Sequence, residues 1–313
     1  MPLHQHTPLF ESGAMTVHDG QSVWLKMEAL QPPGSFKIRG IGFACEEYVR
    51  RGARRFICSS GGNAGIAAAY AGRRLGVPVV VVVPETTTER AKELIGREQA
   101  QVIVHGASFQ EANALAQSMV TATDAFIHPF DDPLLWQGHA SMIDEVAASG
   151  LKPDAIVLSV GGGGLLCGVV EGMRRNGWND VPVVAVETVG ADSYAQSLAA
   201  NERVELAGIT SIATSLGARK VAQQAFALAQ QHPVRSVVVS DADAVRTCLR
   251  FMDDHRVVVE PACGASLAVA YDAAKVLGEH KKVLVIVCGG VTATVEQLQK
   301  WAEKFGGPVP PSP

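Results

Sequence analysis

The 313-residue chain has no excess of either charge: 27 Lys and Arg stand against 31 Asp and Glu, a formal net charge of −4. With no basic field to meet phosphate, neither a nucleic acid nor an anionic membrane surface is expected as a partner. Long apolar runs are also missing. The run 77–83 falls far short of the ~20 residues a bilayer helix needs, and the first twenty residues have neither the basic start nor the apolar stretch of an export signal. A cytoplasmic protein is expected. Six cysteines (45, 58, 167, 248, 263, 288) form no Cys-x-x-Cys pair and lie mostly in apolar segments, so no disulfide framework or zinc site is suggested. There is no internal repeat. The only low-complexity segment is the proline-rich end, 308–313, expected to be disordered.

What is present is apolar and patterned. Apolar residues make up 47 % of the chain, and its length suits about two lobes, each burying a core. Short Val- and Ile-rich runs alternate with longer helical patterns, as in an α/β protein whose parallel strands are covered on both faces. The clearest strands are 55–58, 79–83, 102–105, 155–160, 183–186 and 283–288. Three run into glycine-bearing loops: Ser59-Ser60-Gly61-Gly62-Asn63, Gly161-Gly162-Gly163-Gly164 and Gly289-Gly290. Ligands of open parallel sheets bind at the carboxyl ends of the strands, so these loops are expected to wall one site.

Lys37 stands in Pro33-Gly34-Ser35-Phe36-Lys37-Ile38-Arg39-Gly40. Ser35 is expected to cap a helix whose apolar positions Ile38, Ile41, Ala44, Cys45 and Tyr48 form one buried face running to Arg50. An ammonium at a helix N-terminus is disfavoured by about 0.3–1 kcal/mol, and burial lowers its pKa further. Both effects favour the neutral amine, the form that attacks a carbonyl carbon and makes a Schiff base. The plain alternative is a lysine that snorkels to water.

The four glycines 161–164, ahead of a helix beginning near Leu165, bare N–H groups at a helix N-terminus, which suits phosphate; a tight turn that allows close packing is the alternative. No Gly-x-Gly-x-x-Gly pattern with a following acid and no Gly-Lys-Ser/Thr ending is present, which weakens dinucleotide and P-loop readings. The loop 59–65 offers hydroxyls, an amide and N–H donors suited to a carboxylate, with Asn63 able to bond a ring oxygen, or it is an ordinary turn before an alanine-rich helix. Cys288 could sit against a heterocyclic nitrogen or fill core. Glu187 could cap a helix or bind a cation with Ser193, or both could be solvated loop residues.

Taken together, Ser35-Phe36-Lys37-Ile38-Arg39-Gly40, Ser59-Ser60-Gly61-Gly62-Asn63-Ala64-Gly65, Pro129-Phe130-Asp131-Asp132-Pro133, Ser159-Val160 with the four glycines, Glu260-Pro261-Ala262-Cys263-Gly264-Ala265 and Cys288-Gly289-Gly290 resemble the pyridoxal-phosphate serine/threonine dehydratases, most nearly the short L-serine dehydratases and their serine dehydratase-like relatives. The resemblance covers nearly the whole chain. It implies the fold-type II, tryptophan synthase β-like architecture, two open, mainly parallel sheets in two lobes, with 1–34 and 134–313 as the large cofactor-binding domain and 35–133 as the small one. It implies a Schiff base on Lys37, Phe36 packed on the cofactor ring, Asn63 on the ring's 3-oxygen, the phosphate on Gly161, Gly162, Gly163 and Gly164, Cys288 facing the pyridine nitrogen, and Leu165 and Gly289 also in contact with the cofactor. Ser60, Gly61, Asn63 and Ala64 would hold the substrate carboxylate. A monovalent cation, potassium, would lie at Gly161, Glu187, Ala191, Ser193, Leu216 and Ala218. L-Serine would then yield pyruvate and ammonia, L-threonine 2-oxobutyrate, with Lys37 removing the α-proton, and the enzyme is expected to be a homodimer.

The chain departs from this family at two positions. Val291 stands where the relatives usually carry asparagine after Cys-Gly-Gly, and Gly61 matches the dehydratase-like members, where more active dehydratases tend to carry alanine. Competing outcomes are β-replacement as in cysteine synthase, racemisation, and a non-catalytic binding protein. The segment 35–39 favours dehydration over β-replacement. Gly61 offers no side chain where similar racemases carry a serine, and the intact Lys37, Asn63 and glycine loop count against a decayed site.

Overall fold

The computed structural model describes residues 1–15, 20–272, 276–278 and 280–305, and the proline-rich end 308–313 lies outside them. The strands are β1 (Leu9–Glu11), β2 (Ser22–Lys26), β3 (Arg55–Cys58), β4 (Val79–Val83), β5 (Gln101–Val104), β6 (Asp124–Ile127), β7 (Ala155–Ser159), β8 (Val183–Thr188), β9 (Val234–Val239) and β10 (Lys282–Ile286). The helices are α1 (Lys37–Arg50), α2 (Asn63–Leu75), α3 (Glu89–Arg97), α4 (Phe109–Ser118), α5 (Pro133–Ala148), α6 (Gly164–Arg175), α7 (Ser193–Ala200), α8 (Gln223–Leu228), α9 (Asp241–His255), α10 (Pro261–Tyr271) and α11 (Val295–Lys304). They build two sheets. One has six strands in the order β1-β2-β10-β7-β8-β9, and the other has four in the order β5-β4-β3-β6. Every pairing is parallel except β1 with β2.

The five consecutive valines of β4 are all buried, and the period of two sorts them between two helical layers. Val79, Val81 and Val83 pack with the alanines of α2, whereas Val80 and Val82 meet Ala112 and Ala116 of α4. The alanine-rich α2 lies close on its sheet. A Cβ at Gly72 would stand 2.0 Å from the Val79 Cγ2, so glycine there is a packing requirement.

Helix α1 begins at Lys37, but Ser35 does not cap it. Phe36 holds the N-cap position with helical dihedrals and no side-chain cap. Ser35 instead forms an antiparallel bridge with Gly289, Phe36 N–H donates to the Cys288 carbonyl at 3.1 Å, and Gly290 N–H donates to the Gly34 carbonyl at 2.8 Å. The segment is held from outside by the chain beyond β10, a long-range pairing that overrides the local capping signal. The first turn is anchored by Arg39, fully buried, whose guanidinium pairs with Glu28 at 2.7 Å and Glu145 at 2.7 Å.

Strands β3 and β4 fall where the pattern places them, and the other four expected strands shift by one or two residues at an end. β1, β2, β6 and β9 carry no clear pattern. β2 ends on Lys26, a buried lysine whose amine is met by Glu145, and no residue of edge strand β9 is fully buried. No helix among the described residues is long and apolar enough to cross a membrane.

Candidate functional site

The carboxyl ends of β3, β7 and β10 deliver the three glycine-bearing loops to the cleft that Lys37 enters from α1. The lysine keeps some surface open to the cleft, but its amine lies deep. Its Nζ donates to the Pro129 carbonyl at 2.8 Å and lies 5.1 Å from the centre of the Phe36 ring. Desolvation pulls its pKa down to about 8, against opposing pulls from Cys288, Cys58 and Glu260. Around pH 7 roughly a tenth of the amine is then neutral, against well under a thousandth for a free lysine. Capture of an aldehyde cofactor by the unloaded protein should therefore speed up about fivefold to tenfold from pH 7 to pH 9 as the reactive neutral form fills in. A capture rate that stayed flat over that range in stopped-flow absorbance would contradict the assignment.

The glycine loop is shaped from both sides. Gly163 adopts φ +91° at the N-cap of α6, where a side chain would meet the Ala225 Cβ at 2.3 Å. A Cβ at Gly162 would lie 2.2 to 2.4 Å from the Phe130 ring, one at Gly164 would lie 2.7 Å from the Phe130 carbonyl, and one at Gly161 would approach the Leu216 Cα to 2.9 Å. Close packing is thus one reason for the four glycines. A second reason survives it, because among the described residues the N–H groups from Gly161 to Leu165 donate to nothing. Unsatisfied donors at a helix N-terminus are what a phosphate dianion needs.

Opposite, Asn63 opens α2 behind the extended Gly62. Its Nδ2 donates to the Glu260 Oε1 at 2.7 Å and reaches the Ser215 Oγ at 3.3 Å, while its Oδ1 accepts from the Val291 N–H at 3.1 Å. Ser60, Gly61 and Ala64 share this rim, and the N–H groups of Asn63 and Ala64 donate to nothing among the described residues. Val291 works through its backbone, and its side chain lies where a Cβ on Gly34 would stand, 2.1 Å from Cγ1. Cys288 is buried at the end of the third wall, and contact with Cys263, burial and the nearby Glu260 hold its thiol well above the usual range, hence protonated. Gly289 has φ +84°, and a side chain there would strike the Gly34 carbonyl at 2.5 Å. The buried Ser35 hydroxyl has no partner among the described residues.

The expected cation residues fall into two groups. Glu187, buried at the end of β8, accepts from the N–H groups of Tyr194 at 2.9 Å and Ala195 at 2.7 Å, capping α7, with Ala191 bridged to Thr188 nearby and the Ser193 Oγ buried without a partner among the described residues. Burial pushes the Glu187 carboxyl up to about 8 despite those two bonds. Leu216, in a short 3-10 turn two residues before Ala218, packs on Gly161.

Sequence reasoning left Glu260 and Pro129 without roles, although both lie within quoted motifs, and it passed over Ser215, Thr292 and Thr87. Nothing local marks them, since a backbone carbonyl and isolated hydroxyls become functional only by what folds against them.

A buried amine able to shed its proton, a bare N–H cradle and a neutral thiol lie together between two mainly parallel sheets, a set of groups chemically suited to a phosphorylated aldehyde. The chain belongs to the pyridoxal-phosphate dependent enzyme family, which it matches over residues 1–289. It is 46 % identical to the human L-serine dehydratase/L-threonine deaminase over 97 % of this chain and 96 % of that one. It is 47 % identical to the rat serine dehydratase-like protein over 96 % and 94 %. Among solved structures, the L-serine ammonia-lyase of the fungus Rhizomucor miehei superposes with a TM-score of 0.92 at 35 % identity, covering 98 % of this chain and all of that one. The architecture is the fold-type II arrangement that the motifs imply.

Proposed function

We propose that this chain is an L-serine ammonia-lyase that also accepts L-threonine, releasing ammonia with pyruvate or 2-oxobutyrate. The observation that carries the reading is the Lys37 amine, held by the Pro129 carbonyl at 2.8 Å with its pKa lowered to about 8, between a phosphate-type cradle and a rim of free donors. Lys37, with Phe36 beneath the ring and Asn63, Gly161, Gly162, Gly163, Gly164, Leu165, Cys288 and Gly289 around it, would hold pyridoxal phosphate. When bound, the cofactor supplies an electron sink for charge developing at the substrate α-carbon.

The remaining steps belong to side chains and backbone of this chain. Ser60, Gly61, Asn63 and Ala64 bind the substrate carboxylate and so orient the α-C–H bond toward Lys37. Lys37, neutral after the substrate has taken its place, removes the α-proton, and the resulting ammonium donates to the Pro129 carbonyl. The protonated Cys288 thiol would place no charge beside the cofactor's pyridine nitrogen. The β-hydroxyl leaves as water with one proton, equal to the one Lys37 took from the α-carbon, and the resulting enamine tautomerises and is hydrolysed by water to the 2-oxo acid and ammonia. Residues 1–34 with 134–313 form the cofactor-binding lobe in this reading and 35–133 the smaller lobe, and the enzyme works in the cytoplasm as a homodimer.

The test is 2-oxo acid formation by purified protein from L-serine and from L-threonine. The activity should fall several-fold when potassium and sodium are both removed and return with potassium, because Glu187, Ser193 and the carbonyls of Gly161, Ala191, Leu216 and Ala218 offer hard oxygen to a large monovalent cation. Absence of any 2-oxo acid would end the lyase reading, and cation-independent turnover would remove potassium from it.

Gly61 tunes this activity through a neighbour. It does not occupy the left-handed region, so alanine is allowed by the backbone. However, the new Cβ would stand 2.7 Å from the Thr87 Cγ2 and 2.8 Å from its Oγ1. Gly61→Ala alone is therefore expected to slow turnover by displacing the carboxylate rim. Gly61→Ala with Thr87→Ser, which removes one of the two obstructing atoms, is expected to exceed the parent because a stiffer rim holds the carboxylate better. Steady-state kcat for the three proteins checks the order, and a faster single variant would show that Thr87 yields.

A further inference from the structure

We propose that Glu260 is a positioning residue that fixes the orientation of the Asn63 side-chain amide, so that Asn63 can act toward the cofactor ring oxygen only as a donor. The proposal rests on the reading of Asn63 as the ligand of that oxygen. Glu260 stands at the N-cap of α10 but does not cap it. Its carboxylate, 3 % exposed, turns into the cleft. There Oε1 accepts from the Asn63 Nδ2 at 2.7 Å and Oε2 accepts from the Thr292 hydroxyl at 2.6 Å. Gly290, at φ +115°, makes room for it, since a Cβ there would lie 2.0 Å from the Glu260 Cδ.

Burial raises the pKa of Glu260, and the bonds it receives from Ser215, Thr292 and Asn63 oppose that and hold the ionised form; both carboxylate oxygens then accept, and the amide of Asn63 has one permitted orientation. Turning it over would set its oxygen against the carboxylate and its NH2 against the Val291 N–H, breaking two bonds and opposing like partners at each. In the permitted orientation one Nδ2 hydrogen is committed to Glu260. The other points toward the Ser215 Oγ at 3.3 Å, a long contact that an anionic ring oxygen would readily replace, because bonds to charged acceptors are the stronger. The clasp also crosses the cleft. Asn63 follows the four-stranded sheet, whereas Glu260 and Thr292 flank β10 of the six-stranded one.

The test is a double-mutant cycle on the affinity of cofactor-free protein for pyridoxal phosphate, read by absorbance titration, with circular dichroism and melting to confirm folding. Asn63→Ala should weaken binding about tenfold to a hundredfold, as loss of a hydrogen bond to a charged oxygen does. Glu260→Ala should weaken it comparably, the double variant should be no worse than about twofold beyond the weaker single, and Glu260→Gln, whose oxygen can still accept from Asn63, should recover most of the loss. Singles that multiply in the double variant, or an unaffected Glu260→Ala, would overturn the role of Glu260 and leave that of Asn63 standing. An unaffected Asn63→Ala would overturn both. Should Glu260→Ala not fold, Ser215→Ala decides: with the competing acceptor gone, cofactor binding should tighten measurably, and unchanged or weaker binding overturns the proposal.

Discussion

A Lys37→Ala variant is expected to release ammonia from L-serine at least ~10³-fold more slowly than the parent, with the fold intact. General-base transfer alone contributes about 10²–10⁴, and loss of the covalent anchor adds to it. The variant removes the only lysine among the described residues whose amine is both buried in the cleft and pulled down to about 8. Its carbonyl partner, Pro129, remains in place. Borohydride reduction of the parent should fix the cofactor on Lys37, and peptide mapping locates it. An adduct on another lysine, or near-parental turnover by Lys37→Ala, would refute the assignment. A slow residual reaction restored by added methylamine would support it, because an external amine can take up the lost proton transfer.

Nearly as large an effect is expected from Gly162→Asp, which should leave the purified protein with less than about a tenth of its cofactor and an affinity lowered at least ~100-fold, equivalent to about 2.8 kcal/mol. Two causes add. The new Cβ would overlap the Phe130 ring at 2.2 to 2.4 Å. Phe130 follows Pro129, whose carbonyl holds Lys37. The carboxylate also brings a like charge against a phosphate dianion at donors meant for it. Gly162→Ala separates the causes, since it carries the steric part alone and should lose affinity by a smaller factor. Equal losses would show that packing against Phe130, and not charge, makes glycine necessary. A Gly162→Asp protein that copurified with a full complement would remove the phosphate role from the loop.

Features that depend on near neighbours along the chain were legible from it. The valine run of β4 has one strand reading and two helical layers to fill, the buried face of α1 and its end at Arg50 follow from apolar spacing, and bare glycines after strands mark loops at the ligand end of a parallel sheet. The ordered motifs extended that reading to the cofactor and the reaction. The expected cap at Ser35 failed for a reason outside the helix, because the segment is bridged to Gly289, more than two hundred residues away. The same distance hid the clasp of Asn63 on Glu260 and the parking of Lys37 on Pro129, across 197 and 92 residues of chain. Nor does any local pattern predict that Gly61 faces Thr87 or that Val291 holds Asn63 through its backbone. By itself the sequence determined the layers, the lysine and the loops, because periodicity and backbone freedom are local properties. The direction of each donor and the lowered pKa of the amine were decided by tertiary structure, because hydrogen-bond geometry and desolvation exist only once distant segments have closed around the same atoms.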